Sequence, residues 1–128
     1  HIFIEYVYSI EPAWGISMLP TIPPEGQALV ISKYERRGRG VGIGDLVTFK
    51  HPVREGDYAL KRVIGMPGDF VVGNSSRNKM LQVPEGHCWV TGDNLTWSRD
   101  SRMYGPLPLA LITGRVVATF PGISFWKW

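Results

Sequence analysis

One cysteine, Cys88, stands in this chain of 128 residues, so no internal disulfide staples it. No apolar run reaches the roughly eighteen residues of a membrane-spanning helix, so nothing here reads as a span. Histidine is sparse as well. His1, His51 and His87 are scattered without metal-ligand spacing, and neither a metal nor another cofactor is expected. Cys88 follows His87 directly, but neighbours on a strand face opposite ways, which argues against a thiol–imidazole dyad. Charge is nearly balanced at +3, a faint hint of an acidic lipid surface and no sign of a nucleic-acid partner. The run Glu35-Arg36-Arg37-Gly38-Arg39-Gly40 reads as a solvated loop. Gly38, Gly40, Gly42 and Gly44 alternate by two and do not satisfy the dinucleotide-binding fingerprint.

Room for long helices is also missing, because 15 glycines and 10 prolines punctuate the chain. Between them lie short apolar runs: Ala28–Ser32, Asp45–Lys50, Ala59–Ile64, Asp69–Val72, Met80–Val83, Cys88–Thr91 and Thr113–Phe120. The pattern predicts an all-β fold, a compact barrel-like domain of antiparallel strands over residues 1–128, with one helical turn around Pro108–Ile112. The irregular Lys33–Gly44 segment is expected to be the most mobile element. The chain opens without methionine on an apolar, aromatic strand, His1–Ile10, which suggests that an upstream anchor is absent from this form. The aromatic tail, Phe120–Trp128, suits a membrane interface, core packing or a partner contact equally well.

Two runs carry chemistry. Ser17 lies in Gly15-Ile16-Ser17-Met18-Leu19-Pro20-Thr21, which Pro20, Pro23 and Pro24 keep from becoming helix. Lys61 lies in the strand-like Tyr58-Ala59-Leu60-Lys61-Arg62-Val63-Ile64, which closes on the Pro67-Gly68 turn. Lys61 and Arg62 must point to opposite faces, one inward and one to solvent. A serine beside an inward lysine is the smallest nucleophile-and-base set for acyl transfer. An exposed lysine, with a pKa near 10.4, is neutral in only about one molecule in 2,500 at pH 7. A working base needs a depression of about 2–3 units, mainly from desolvation; Leu60, Val63 and Ile64 are the apolar neighbours offered for it. Taken singly, each residue has an ordinary reading, Ser17 in a turn and Lys61 on the surface of an amphipathic strand.

A third block, Gly92-Asp93-Asn94-Leu95-Thr96-Trp97-Ser98-Arg99-Asp100-Ser101-Arg102, follows the apolar strand Cys88–Thr91. Its short polar side chains bind their own backbone, and Asp93, Asp100, Arg99 and Arg102 place opposite charges within reach. Most of these residues read as structural. Asp100 and Arg102 are expected to pair and brace the loop, with Asp93 as a further partner, while Ser98 offers a hydroxyl to hold a lysine amine.

In this order the blocks resemble the type I signal peptidases, the serine–lysine membrane proteases. The nucleophile box is Ser17–Thr21, the base box Lys61–Asp69, and the Gly-Asp-Asn…Ser…Asp-Ser-Arg box runs from Gly92 to Arg102. Gly44-Asp45-Leu46-Val47-Thr48-Phe49 matches the family's Gly-Asp-hydrophobic strand. The stretch from Phe70 to Val90 is short. With Val83–Val90 and Tyr104–Arg115 it looks like the mitochondrial inner membrane branch, and the intact Gly92-Asp93-Asn94 favours the branch's first, catalytic subunit over its second. Ile16 stands where that branch often has proline. Gly15 stands where some bacterial relatives carry an oxyanion-binding serine, so backbone N–H groups at Ser17 and near Gly15 would have to hold the oxyanion.

The resemblance implies Ser17 as nucleophile, Lys61 as base and Ser98 as the residue orienting the amine. It further implies sorting-peptide substrates on proteins facing the intermembrane space, a single N-terminal membrane helix and a sister peptidase subunit as partner. Glu11–Ile16 and Asp57–Leu60 are candidate walls for an extended peptide, with Ile16, Met18 and Leu60 lining its pockets; asparagine is the residue suggested at the cut. Three other readings stay open: a bacterial type I signal peptidase, a self-cleaving repressor-type serine–lysine protease, which the Gly92–Arg102 block disfavours, and a non-catalytic peptide-binding β-domain.

Overall fold

The computed structural model describes residues 8–12, 27–74, 79–93 and 99–121. The described residues form nine strands: β1 (Tyr8–Pro12), β2 (Gln27–Ser32), β3 (Leu46–Lys50), β4 (Tyr58–Gly65), β5 (Phe70–Asn74), β6 (Lys79–Gln82), β7 (His87–Thr91), β8 (Leu107–Pro108) and β9 (Ile112–Pro121). Seven join one sheet in the order β1-β2-β9-β3-β4-β7-β8, and β5 pairs with β6 separately. Every pairing is antiparallel. The all-β expectation holds, and the seven apolar runs coincide with strands to within a residue or two.

Register follows burial. On β4 the residues Lys61, Val63 and Gly65 are buried, while Ile64 is exposed and Arg62 only partly covered. Directly across, Val47 faces Lys61 and Phe49 faces Ala59 on β3, and Val90 of β7 faces Val63. That shared face is the main core, built from Val41, Val47, Phe49, Val63, Cys88, Val90, Leu107 and Ile112. Leu29 and Ile31 of β2 form a second cluster, against which Leu46, Leu60 and Val116 pack. A third, Val71, Val83 and Trp89, lies under the β5–β6 ribbon. Gly65 permits that third contact: a Cβ there would stand 2.7 Å from Val71 Cγ1 and 3.3 Å from Trp89 Cβ.

Turn chemistry fixes the connections. Met66-Pro67-Gly68-Asp69 has proline second and a glycine at φ 90 third, as a type II turn requires. Its ends close through Asp69 N–H to the Met66 carbonyl at 2.9 Å. Among the described residues helix comes in short pieces: 3-10 turns at Arg36–Gly38 and Leu109–Leu111, and α1 (Ser101–Tyr104). The Leu109–Leu111 turn is the one foreseen around Pro108–Ile112; α1 was not foreseen.

One expectation needs correcting. Lys33–Gly44 carries no strand or α-helix, only bends, turns and one 3-10 turn, but it is not wholly solvated. Glu35, read as solvated, is 5% exposed, and Val41 belongs to the main core. Successive backbone bonds stitch the segment: Arg36 N–H to the Lys33 carbonyl, Gly38 N–H to Glu35, and Val41 N–H to Gly38.

Candidate active site

Lys61 is the inward member of the Lys61–Arg62 pair. It is only 7% exposed and stands on the core face between Ala59 and Val63, opposite Val47. The apolar setting therefore comes from Val63 and Val47. Leu60 and Ile64, also expected to supply it, lie on the other face by strand alternation: Leu60 packs against the second cluster and Ile64 is 42% exposed. Burial depresses the Lys61 ammonium below the ordinary lysine range; the Asp100 carboxylate opposes that shift and the Arg102 guanidinium adds to it. A depressed amine is what a lysine base requires.

Asp100 is fully buried and saturated with donors. Its Oδ1 accepts from Arg102 N–H at 3.1 Å and Arg102 Nε at 2.9 Å, and its Oδ2 from Gly92 N–H at 3.0 Å and Arg102 Nη2 at 3.1 Å. The sequence Asp-Ser-Arg explains this arrangement. Asp100 is the N-cap of α1, its carboxylate accepts the N–H two residues on, and the arginine at that position folds back onto the same carboxylate. The expected Asp100–Arg102 ion pair is present, at 2.9 Å. Ser101, beside it, is 1% exposed, and its Oγ accepts the Val90 N–H at 2.9 Å, fastening α1 to β7.

Asp93 was expected beside the Asp100–Arg102 pair. Its carboxylate instead takes both arms of Arg62, from Nε and from Nη2, each at 2.9 Å, while Arg62 Nη1 donates to the Gly44 carbonyl at 2.8 Å. This fork raises the already high Arg62 pKa further, chiefly through the hydrogen bond to Asp93. The two carboxylates thus flank residues 94–98 from either side. Asp93 is tied to β4 at the residue after Lys61, and Asp100 is tied to the backbone at Gly92.

Two residues join the neighbourhood that sequence reasoning missed. His51 Nδ1 accepts from Val53 N–H at 3.1 Å and Arg54 N–H at 2.9 Å, so its other nitrogen carries the proton in the neutral ring. Burial lowers its pKa; the Arg54 and Lys61 charges lower it too, and Asp57 opposes them. The ring meets Tyr104 edge-on at 5.4 Å between centroids. The Tyr104 hydroxyl is buried without a hydrogen-bond partner among the described residues, and burial, Asp100 and Cys88 together raise its pKa. Neither residue gave a sequence signal, since both reach this place by chain crossing rather than by spacing.

Gly15, Ile16, Ser17, Met18 and Ser98 lie outside the described residues. Cys88 is buried in the core with its thiol pushed up to about 12, and His87 Nδ1 sits 2.8 Å from the Glu85 carbonyl oxygen, so the two are spent separately. No cluster of metal-binding side chains occurs among the described residues.

A buried lysine with a depressed amine, within electrostatic reach of Asp100 on an antiparallel sheet, is compatible with a lysine base, and sequence comparison supplies the class. The family model for signal peptidase, peptidase S26, matches residues 2–77 and 71–121, and the chain belongs to that family of peptidases. Among individual relatives, it is similar to mitochondrial inner membrane protease subunit 1 of Schizosaccharomyces pombe, with 39% identity over 120 residues covering 92% of this chain and 76% of that protein. The subunit 1 of Saccharomyces cerevisiae is 38% identical over 133 residues, covering 92% of this chain and 70% of that protein. Subunit 2 of Danio rerio is 34% identical over 128 residues, covering 97% and 68%. The family resemblance drawn from the sequence boxes is borne out.

Proposed function

We propose that this chain is a serine endopeptidase of the mitochondrial inner membrane that removes sorting peptides from proteins facing the intermembrane space. Ser17 Oγ attacks the scissile carbonyl, and the neutral Lys61 Nζ takes its proton, then returns it to the leaving amine. Ser98 holds the amine in place, and backbone N–H groups at Ser17 and near Gly15 receive the oxyanion. Asp93, Asp100 and Arg102 keep the loop bearing Ser98 in register with β4. Ile16, Met18 and Leu60 line the pocket for the residues before the cut, and a sister peptidase subunit is the partner. The observation that carries this reading is the burial of Lys61 on the core face, which lowers its pKa, while its neighbour Arg62 is turned outward onto Asp93.

The test is cleavage of a synthetic sorting peptide by the chain and its variants. Ser17→Ala and Lys61→Ala are expected to abolish turnover with unchanged circular dichroism. Lys61→Arg is expected not to restore it, since a guanidinium stays protonated. Substantial cleavage by Lys61→Ala would refute the dyad.

A further inference from the structure

We propose that the Lys33–Asp45 segment is a contact site for an anionic phospholipid surface, made by Arg36, Arg37 and Arg39 with Tyr34 and Ile43. The proposal rests on the membrane setting given above. Its first support is the segregation of charge. The two carboxylates of the segment are turned to internal work: Glu35 accepts from Ser32 Oγ at 2.8 Å and Arg115 Nε at 3.2 Å, and Asp45 accepts the Gly42 N–H at 2.8 Å. Arg36, Arg37 and Arg39 all remain exposed, and none has a carboxylate partner among the described residues.

Rigidity is the second support. Glu35 anchors the segment in the protein, and Gly38 lies beneath Leu109, so close that a Cβ would stand 2.8 Å from Leu109 Cβ. Arg37 is the one non-glycine residue with positive φ among the described residues, at φ 61 and ψ 19. An arginine held in that sparsely occupied region, where glycine would sit without strain, points to a use for its side chain.

The occupant follows from what the segment lacks. Its N–H groups at 36, 38, 39 and 41 are bonded to its own carbonyls, so a peptide could not add to it as a strand. What it offers is guanidinium groups, which fork onto phosphate oxygens, with a tyrosine 61% exposed and an isoleucine 63% exposed. Arg39 lies 5.7 Å from the Tyr34 ring centroid, so cation and aromatic are presented together. Cations beside an aromatic, with an exposed isoleucine four residues on from Arg39 in the same segment, suit a headgroup layer, where phosphates meet the start of the acyl region.

The experiment is co-sedimentation of the 128-residue chain with vesicles of phosphatidylcholine alone or mixed with phosphatidylglycerol. Basic residues at such a surface contribute enough that three of them should favour the anionic vesicles by about two orders of magnitude. Arg36→Gln/Arg37→Asn/Arg39→Gln should lose most of that preference with an unchanged melting curve; asparagine tolerates the left-handed backbone at 37. Replacing the same three by lysine should keep most of it, and high salt should erase it. Equal anionic preference in the neutral variant, or none in the parent, would overturn the proposal. So would displacement of the parent by inorganic phosphate at constant ionic strength, which would mark a discrete anion site. Peptide cleavage in vesicle-free buffer is read in parallel and should be the same in parent and neutral variant. If the parent fails to cleave but keeps its arginine-dependent lipid preference, the proposed function has failed and the lipid contact stands.

Discussion

Removing the Asp100 carboxylate is the most informative single perturbation of this protein. Asp100 is fully buried and, among the described residues, accepts three hydrogen bonds from Arg102 and one from the Gly92 N–H. Asp100→Ala removes the carboxylate that accepts the Gly92 N–H, uncaps α1 and takes this counter-charge from the Arg102 guanidinium. Breaking a buried pair from one side costs about 3–5 kcal/mol, a large part of the roughly 5–15 kcal/mol that holds a domain together. In a chain of this size that corresponds to a melting temperature lower by about 10–20 °C. A second consequence is electrostatic. Asp100 raises the Lys61 pKa and Arg102 lowers it, so loss of the carboxylate lowers it further. At a temperature where the variant is folded, the acid limb of its peptide cleavage should move to lower pH. Thermal unfolding and pH-dependent cleavage read the two effects separately. An unchanged melting temperature would refute the structural role, and an acid limb moved to higher pH would refute the electrostatic one.

Lys61→Met should abolish turnover yet stabilise the fold at neutral pH by about 0.5–2 kcal/mol, seen as a higher midpoint in urea. The sign follows from the lowered folded pKa: the unfolded chain binds the extra proton, so the penalty is full below the folded pKa and fades as pH rises toward 10.5. The stabilising effect should accordingly shrink at high pH. Gly65→Ala should lower stability by about 1–3 kcal/mol in the same titration, because its methyl would meet Val71 and Trp89. Cys88, buried with a thiol near 12, should resist iodoacetamide at pH 8 until the protein unfolds, whereas prompt labelling of native protein would contradict its placement in the core.

Strand positions were legible because the apolar runs are short and bounded by Gly and Pro, as at Pro67-Gly68, where residue type alone demands the turn. The inward lysine was legible only as a choice of two, since alternation separates Lys61 from Arg62 without saying which faces the core. Burial of Val47 and Val63 beside Lys61, together with the Arg62–Asp93 fork, settles that choice. Pairing within the acidic block was half legible. Asp100–Arg102 is local, an N-cap closed by its own arginine, whereas Asp93–Arg62 spans two strands whose adjacency is a matter of topology. For the same reason His51 and Tyr104 escaped notice. Glu35 was misread because its basic neighbours made the run look uniformly solvated, while its partner Arg115 lies far along the chain on β9.

If Lys61 acts as a neutral base toward Ser17, the pH dependence of kcat/KM for sorting-peptide cleavage shows it most directly. Because burial depresses the Lys61 amine, activity should rise along a single acid limb whose midpoint lies below the ordinary lysine value of 10.5. The limb should vanish with all turnover in Lys61→Ala. An acid limb of the same midpoint persisting in Lys61→Ala would assign the base to another residue and contradict the account.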